Sequence, residues 1–273
     1  MKVLIAVDME GISGVVDWDH VKPGHSEYAR FRQIMTNDVN ATVRGVFEAG
    51  ATEVIVTDGH ANNRNLLLEA LDGRARLNTG GPMPLSMVQG VDEAGLEAVL
   101  FVGYHARAGA QTAVLDHTWS LEVSNLWLNG QRVGEIGLNA AVCGHFGLPV
   151  VMISGDQTAA AEAVDLLGDL EVAVVKQACS QHAAECLPIA LAQQRIFEAA
   201  KRAVSRVKSG QVPPPFQLPP PITVAVEFSY SVMADRAALL PGASRTEDRQ
   251  VEFIAEDMVV AYQAFRVLVT LAG

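Results

Sequence analysis

The chain has 273 residues, of which 49% are hydrophobic and 19% are charged, and its formal net charge at pH 7 is −11. This composition excludes an intrinsically disordered chain and is sufficient for one large domain or two small ones. The negative charge argues against nucleic acids and membranes as partners, and we find no apolar stretch typical of a membrane span or a signal peptide. Three cysteines without a C-x-x-C pair favour a reducing compartment, so we expect a cytoplasmic protein.

Short apolar runs alternate with helical patterns along most of the chain. Strands are predicted at Val3–Val7, Glu53–Thr57, Ala98–Val102, Pro149–Ile153, Glu171–Val175 and Ile222–Phe228. Apolar residues from Phe31 to Phe47 recur at spacings of three and four and predict a helix that ends near Gly50. Further helices are predicted at Gly134–Gly147, Gln157–Leu167 and Pro188–Val207. This alternation predicts an α/β fold, with a mostly parallel sheet flanked by helices.

Two segments interrupt the alternation. Trp119–Val133 contains the turn signal Asn129-Gly130 and predicts an antiparallel hairpin insertion. The prolines at 212–221 predict an extended connection between a main α/β domain, residues 1–211, and a C-terminal unit, residues 222–273. We expect this unit to be a small α+β extension packed on the main domain or on a neighbouring subunit, because about 50 residues form only a thin core.

Residues that commonly bind metal ions follow the first three predicted strands. The first strand is followed by Asp8 and Glu10, the second by Asp58 and His60, and the third by His105. Ligands of open parallel sheets bind beyond the carboxyl ends of the strands, and side chains two positions apart on an extended segment point to the same side. We therefore expect these residues to converge on one crevice, within the main domain.

This concentration of carboxylates beside an apolar sheet indicates a metal site. The carboxylates would repel one another and lose solvation, and a divalent cation relieves both penalties. Mixed Asp, Glu and His ligation suits zinc, with manganese or cobalt as alternatives. Two metals would share a bridging carboxylate, for which Asp8 is the best placed. We add His117 and Glu135 to the candidate site residues on the basis of residue type alone. Taken singly, each residue also fits a cap, a turn or a packing role.

Several motifs spread along the chain carry a resemblance to a known family. They include VDMEGISG, TDGHANN, FVGYHARAG, VGEIGLNA, LLPGASR and AEDMVVAYQAF. Together they resemble the DppA-type D-aminopeptidases, a metallopeptidase family, nearly from end to end. The resemblance implies two zinc ions per chain, a further active-site histidine at His117, and a homodecamer of two stacked five-membered rings. It places the metal ligands at Asp8, Glu10, His60, His105 and Glu135.

The function that follows is hydrolysis of N-terminal residues from short peptides by a water that the metal ions activate. The resemblance implies D-amino acids such as D-alanine as the residues released. We expect His117 to act as a general acid or base or to stabilise the oxyanion, and Asp58 to orient His60 or its neighbour. Two alternatives stay open: another di-metal hydrolase on this scaffold, such as an L-aminopeptidase, an amidase or a phosphoesterase, and a non-enzymatic metal-binding module.

Overall fold

The computed structural model describes residues 1–273, which form twelve strands and seven α-helices. The strands are β1 (Lys2–Val7), β2 (Glu53–Asp58), β3 (Ala75–Asn78), β4 (Leu96–Val102), β5 (Val123–Leu128), β6 (Gln131–Val133), β7 (Val150–Asp156), β8 (Glu171–Ser180), β9 (Ala183–Cys186), β10 (Ile222–Phe228), β11 (Ala243–Arg245) and β12 (Gln250–Ala255). The helices are α1 (Trp18–Val21), α2 (Tyr28–Glu48), α3 (Glu135–His145), α4 (Gln157–Leu167), α5 (Ile189–Lys208), α6 (Ser231–Ala237) and α7 (Met258–Ala272). Two 3-10 turns cover Leu68–Ala70 and Ser86–Val88.

Seven strands form the larger sheet, in the order β3-β2-β1-β4-β7-β8-β9. All neighbouring strands are parallel except β8 and β9, which pair antiparallel at one edge. This confirms the predicted α/β class with a mostly parallel sheet flanked by helices. Because β1 lies between β2 and β4, the three strands that precede the candidate ligands are direct neighbours.

The two faces of the larger sheet support separate hydrophobic cores, because side chains alternate along each strand. On β1, the odd-numbered residues Val3 to Val7 belong to the core that includes α2 and α5. Leu4 and Ala6 belong to the core that includes α3, α4 and α7. All five side chains are buried, which explains the continuous rather than alternating apolar run in the sequence.

The second sheet is antiparallel and has the strand order β11-β12-β10-β5-β6. It confirms the predicted hairpin, in which Asn129 and Gly130 both have positive φ, 49° and 80°, as a tight two-residue turn requires. Strand β10 of the C-terminal extension pairs with β5 of this hairpin. The extension and the hairpin therefore share one sheet, although about ninety residues separate them in sequence.

The differences from the predicted elements concern short or edge segments. Helix α1 and strands β3, β9 and β11 have four residues or fewer, and their sequences are partly polar and exposed. Such segments depend on their neighbours rather than on their own apolar pattern. Strands β7 and β8 continue past their predicted ends, to Asp156 and Ser180. None of the helices combines the length and apolar composition that a membrane crossing requires.

Candidate metal centre

The carboxyl ends of β2, β1 and β4 meet side by side and are joined by backbone hydrogen bonds. The amide of Asp8 donates to the carbonyl oxygen of Val102 at 2.8 Å, and the amide of Gly59 donates to that of Val7 at 2.8 Å. The predicted convergence of the three strand ends is therefore present in the fold. It follows from the strand order, because residues just beyond adjacent parallel strands leave the sheet at the same edge.

Glycines allow the loops that follow β1 and β4 to approach each other closely. The amide of Gly11 donates to the carbonyl oxygen of Gly103 at 2.8 Å. A side chain at Gly11 would collide with the backbone carbonyl of Tyr104, and Gly103 has a φ of 73°. Only glycine satisfies both conditions without strain, so these two positions let the chain turn away while Asp8 and His105 remain close.

Five predicted ligands lie together at this edge and are buried, namely Asp8, Glu10, His60, His105 and Glu135. The Nδ1 atom of His60 lies 3.3 Å from Oδ1 of Asp8 and 3.1 Å from Oε2 of Glu10. The Nε2 atom of His105 lies 3.3 Å from Oδ2 of Asp8 and 3.1 Å from Oε1 of Glu135. The two oxygens of Asp8 thus face different histidines, an arrangement suited to a carboxylate shared by two metal ions.

Backbone carbonyls fix the orientation of the three histidine rings. In each ring one nitrogen lies 2.9 Å from a carbonyl oxygen, which pairs His60 with Val21, His105 with Ala106 and His117 with Leu115. Because a carbonyl oxygen only accepts, that nitrogen carries the proton. In the neutral ring the other nitrogen then has a lone pair that faces the carboxylates, which is the usual arrangement of histidines that ligate metals.

Several atoms at the centre of the cluster lack hydrogen bonds. Oδ2 of Asp8, Oε2 of Glu10 and Nε2 of His105 are buried without a hydrogen-bond partner. Although His105 and Asp8 approach each other, they do so without hydrogen-bonding geometry. A buried unpaired polar atom costs roughly 1–3 kcal/mol, and more when it is charged. Metal ions bound between these side chains would satisfy the three atoms.

Two overlapping sets of residues offer metal-binding atoms that lie within 4.8 Å of one another. One set contains Asp8, Glu10 and His105, and the other contains His105, His117 and Glu135. Their oxygen and nitrogen donors are those that zinc accepts in catalytic sites, and no cysteine is among them. The residues present therefore fit a zinc centre.

The charges of the cluster favour a positive species between the carboxylates. Burial alone would raise the pKa of Asp8, but His105 and His60 hold that pKa well below its ordinary value. Burial would lower the pKa of both histidines, but Glu10 and Asp8 raise the pKa of His60, and Glu135 and Asp8 raise that of His105, well above the ordinary value. The carboxylates thus stabilise positive charge here, as protons on the imidazoles or as metal ions.

His117 lies at the border between the cluster and solvent. Its ring stacks on that of His105 with 4.0 Å between the ring centres, and its Nε2 atom lies 3.7 Å from Oε1 of Glu135. The His117 side chain is 12% exposed, whereas that of His105 is 1% exposed. This position gives His117 access to a substrate as well as to the ligand cluster.

The loop that carries His117 is held in place from both sides. Leu115 and Trp119 have φ values of 49° and 67°, which are unfavourable for residues other than glycine. The amide of Leu115 donates to the carbonyl oxygen of Gln181 at 2.9 Å, and that of Trp119 donates to Oε1 of Glu135 at 2.7 Å. These contacts stabilise the strained backbone and thereby orient the imidazole of His117.

Asp58 contacts the segment after β2 rather than the ring of His60. Its Oδ2 accepts from the amides of Asn65 and Leu66, at 2.6 and 2.8 Å, and its Oδ1 accepts from the Asn65 side chain at 2.8 Å. The same Asn65 side chain donates to the carbonyl oxygen of His60 at 2.6 Å. The ring proton of His60 goes to Val21 instead, so Asp58 acts on the backbone that carries His60.

A buried lysine that the sequence-based analysis did not identify supports the loop after β1. Lys176, in the middle of β8, donates through Nζ to the carbonyl oxygens of Glu10, Ile12 and Val15, at 2.6, 3.0 and 2.7 Å. Burial lowers the pKa of Lys176 to about 8. A buried lysine is unusual, and its place directly after the apolar run 172–175 was the available signal in the sequence.

A cavity of about 280 Å³ opens beside the cluster. Candidate ligands and His117 form its polar side, and the apolar lining consists of Trp18, Val21, Met87, Trp119 and Leu121. A concave, mostly apolar space with a few convergent polar groups is typical of a substrate site. The tryptophans were not predicted as site residues, because Trp18 begins a four-residue helix and Trp119 lies in a loop, and the position of both depends on the folded chain.

Comparisons with known proteins agree with this geometry. The family model for D-aminopeptidases, peptidase family M55, matches residues 1–267. The chain is 40% identical over 275 residues to a D-aminopeptidase of Bacillus subtilis, covering 100% of this chain and 98% of that protein. A solved structure described as the zinc-dependent D-aminopeptidase DppA from Bacillus subtilis, a self-compartmentalizing protease, superposes with a TM-score of 0.96 and 38% identity, over 100% of this chain and 98% of that one. The predicted resemblance is confirmed, and the chain belongs to the D-aminopeptidase family.

Proposed function

We propose that this protein releases N-terminal D-amino acids, such as D-alanine, from short peptides in the cytoplasm. Its family and fold make it a metal-dependent aminopeptidase, with zinc as the metal. The observation that supports the reaction best is the buried cluster in which the two oxygens of Asp8 face two different histidines. The cluster lies within residues 1–211, which we propose as the catalytic domain.

Five residues hold two zinc ions in this proposal. Asp8 would be the carboxylate that both ions share, Glu10 and His60 would hold one ion, and His105 and Glu135 would hold the other. The unpaired buried atoms of the cluster support this assignment. Zinc, when bound, polarises a scissile carbonyl and lowers the pKa of a coordinated water. Asp58 and Asn65 hold the backbone of His60, and Lys176 holds that of Glu10.

His117 is the proposed acid–base residue. Its Nδ1 proton goes to the carbonyl of Leu115, so Nε2 is the atom available to accept or donate a proton during hydrolysis. In its protonated form Nε2 would donate to the developing oxyanion. The free amine of a peptide would bind a metal ion or an acidic group of the site, which favours removal of the N-terminal residue over internal cleavage.

The protein acts as a homo-oligomer in this proposal, and specifically as a homodecamer. Support comes from the structural relative, which is described as self-compartmentalizing. Large apolar side chains of the C-terminal extension remain exposed on the single chain, among them Tyr230, Leu239 and Ile254. Exposed apolar surface of this kind commonly marks contacts between subunits.

Metal analysis and a substrate panel test the function. We expect about two zinc ions per purified chain, loss of activity on chelation and recovery on addition of zinc. The panel compares D- and L-alanyl peptides and amides with a phosphoester. Cleavage of the D-alanyl compounds supports the proposal, whereas preference for L-alanyl compounds or for the phosphoester would identify one of the alternative hydrolases. Metal-free protein without metal-stimulated hydrolysis would contradict an enzymatic role.

A further inference from the structure

The cavity beside the metal centre is lined by groups of both charges. Asp8, Glu10 and Glu135 contribute carboxylates to its buried side. Lys22 is the only lysine or arginine among its lining residues, and its side chain is exposed at the rim. A peptide with a free C-terminus carries a carboxylate, which is complementary to the charge of Lys22.

The backbone of Lys22 is anchored to the metal centre through one intermediate residue. Its amide donates to the carbonyl oxygen of Trp18 at 3.0 Å at the end of α1. The preceding carbonyl, that of Val21, accepts from Nε2 of His60 at 2.9 Å. Pro23 follows and favours the extended conformation that Lys22 adopts, with φ −88° and ψ 123°. The backbone of Lys22 is thus held at a fixed position relative to His60, a candidate metal ligand.

The ammonium group of Lys22 is available to a ligand. It lies over the Trp18 ring, 5.5 Å from the ring centre. The acidic residues nearest in sequence have other partners, since Asp19 pairs with His25 at 2.8 Å, Asp17 with His182 at 3.5 Å and Glu27 with Arg30 at 3.1 Å. Contact with an indole ring holds a lysine in place without neutralising its charge, so the ammonium can still bind an anion.

The distances match a short peptide. Two distances limit how far Nζ of Lys22 lies from the His117 ring. The ring centres of His117 and Trp18 are 5.3 Å apart, and Nζ of Lys22 lies 5.5 Å from the centre of the Trp18 ring. Each residue of an extended peptide spans about 3.3–3.6 Å, so two or three residues cover roughly 7–11 Å. A dipeptide or tripeptide that lies beside His117 is therefore long enough to place its carboxylate at Lys22.

We propose that Lys22 binds the free C-terminal carboxylate of the substrate and thereby selects dipeptides and tripeptides. This inference rests on the proposed aminopeptidase function and adds a subsite to it. Lys22 is a specificity-determining residue here, because it contacts the end of the substrate that is remote from the scissile bond. Its contribution acts on binding of the ground state and transition state alike, so it appears mainly in KM.

The test compares D-alanyl-D-alanine with its C-terminal amide, using the zinc-loaded protein. We expect the wild-type protein to cleave the free acid with a kcat/KM about tenfold higher than that for the amide, mainly through KM, as one charge-assisted contact provides. Lys22→Met should abolish this preference, and Lys22→Arg should retain most of it. For D-alanine oligomers of two to five residues, kcat/KM should decline when the length exceeds three residues. This decline should be weaker in Lys22→Met.

The matched control is Lys201→Met, which removes an exposed lysine of α5 that pairs with Glu48 at 3.6 Å, outside the cavity. Its acid-to-amide ratio should equal that of the wild type. Equal cleavage of acid and amide by the wild-type protein, or an unchanged ratio in Lys22→Met, would overturn the carboxylate subsite while leaving the aminopeptidase intact. If neither compound is cleaved, the proposed function fails and the subsite fails with it.

Discussion

The edge of the parallel sheet and the C-terminal extension bury different kinds of side chains. Every buried charged residue lies at or before Lys176, and most of them surround the strand ends. Residues 222–273 bury apolar side chains and one tyrosine, and leave others such as Ile254 exposed. Burying charges lowers stability but creates a site that attracts cations, whereas apolar burial stabilises the fold and its exposed remainder suits contacts between chains. The proposed chemistry and the proposed assembly thus fall to different regions.

The largest effect is expected from Asp8→Asn, which tests whether the sheet edge depends on a shared carboxylate. Asparagine is neutral and offers one oxygen where aspartate offers two, so it cannot act as a carboxylate that two metal ions share. We expect fewer than two zinc ions per chain and a fall in kcat/KM of about 10³-fold or more. Metal content and steady-state kinetics measure both quantities. Asp92→Asn, at an exposed aspartate, is the control, and full zinc content with normal turnover in Asp8→Asn would refute the bridge.

His117→Ala separates the acid–base residue from the ligands. Loss of general acid–base catalysis lowers turnover by about 10²–10⁴-fold. Because His117 is the most exposed histidine of the cluster, we expect the zinc content to remain at the wild-type level. His145→Ala, which removes an exposed histidine at the end of α3, should change neither quantity. Loss of zinc from His117→Ala would instead identify His117 as a metal ligand. This is the main competing interpretation, because His117 lies beside His105 and Glu135.

Site residues at the ends of the strands could be predicted from the sequence more directly than those on loops and helices. Asp8, His60 and His105 directly follow apolar runs, and strand order alone brings them together. Glu135 and His117 lie at a helix start and in a loop, where no periodicity relates them to the sheet, so only their residue types and the family resemblance pointed to them. Their positions depend on contacts made after folding, such as the hydrogen bond from Trp119 to Glu135.

Residues that support the site were the least accessible to sequence analysis. Lys176 holds three carbonyl oxygens of a loop about 160 residues earlier in the chain. Val21 orients His60 through its backbone carbonyl, which any residue could provide. The role of Val21 leaves no local pattern in the sequence, and the position of Lys176 beside an apolar run does not indicate which loop it contacts. For the same reason the pairing of β10 with β5 could not be predicted, although both strands could be.

Ile254→Glu in β12 tests whether the C-terminal extension forms contacts between subunits. Ile254 is 67% exposed on the single chain, so the substitution places a charge on a surface without disturbing a core. If this surface joins subunits, burying the carboxylate is unfavourable and the assembly should dissociate. We expect a lower mass in sedimentation analysis together with unchanged zinc content per chain. Leu68→Glu, at a leucine that is 66% exposed outside the extension, is the control. An unchanged mass would contradict the assembly role.

The smallest predicted effect concerns Asp38 of α2, a buried carboxylate outside the ligand cluster. Its Oδ2 accepts from the amide of Ser13 at 3.0 Å, while its Oδ1 has no hydrogen-bond partner. Burial raises the pKa of Asp38 from 3.8 to about 6, although the nearby charge of Lys176 opposes this shift. Between these values the folded protein retains a proton that the unfolded chain releases. The contribution of Asp38 to stability therefore falls as the pH rises from about 4 to about 6, and stays constant above.

Asp38→Asn removes this titration and retains an oxygen that can accept from Ser13. Relative to the wild type, the variant should gain stability as the pH rises through this window, by an amount on the order of 3 kcal/mol at most, since one pKa unit corresponds to about 1.4 kcal/mol. Urea unfolding at pH 4.5 and pH 7 with zinc in constant excess measures the difference, and Asp92→Asn should show none. A difference independent of pH would mean that Asp38 is charged at both values, and that the protein tolerates buried charge beyond the metal centre because Lys176 compensates it.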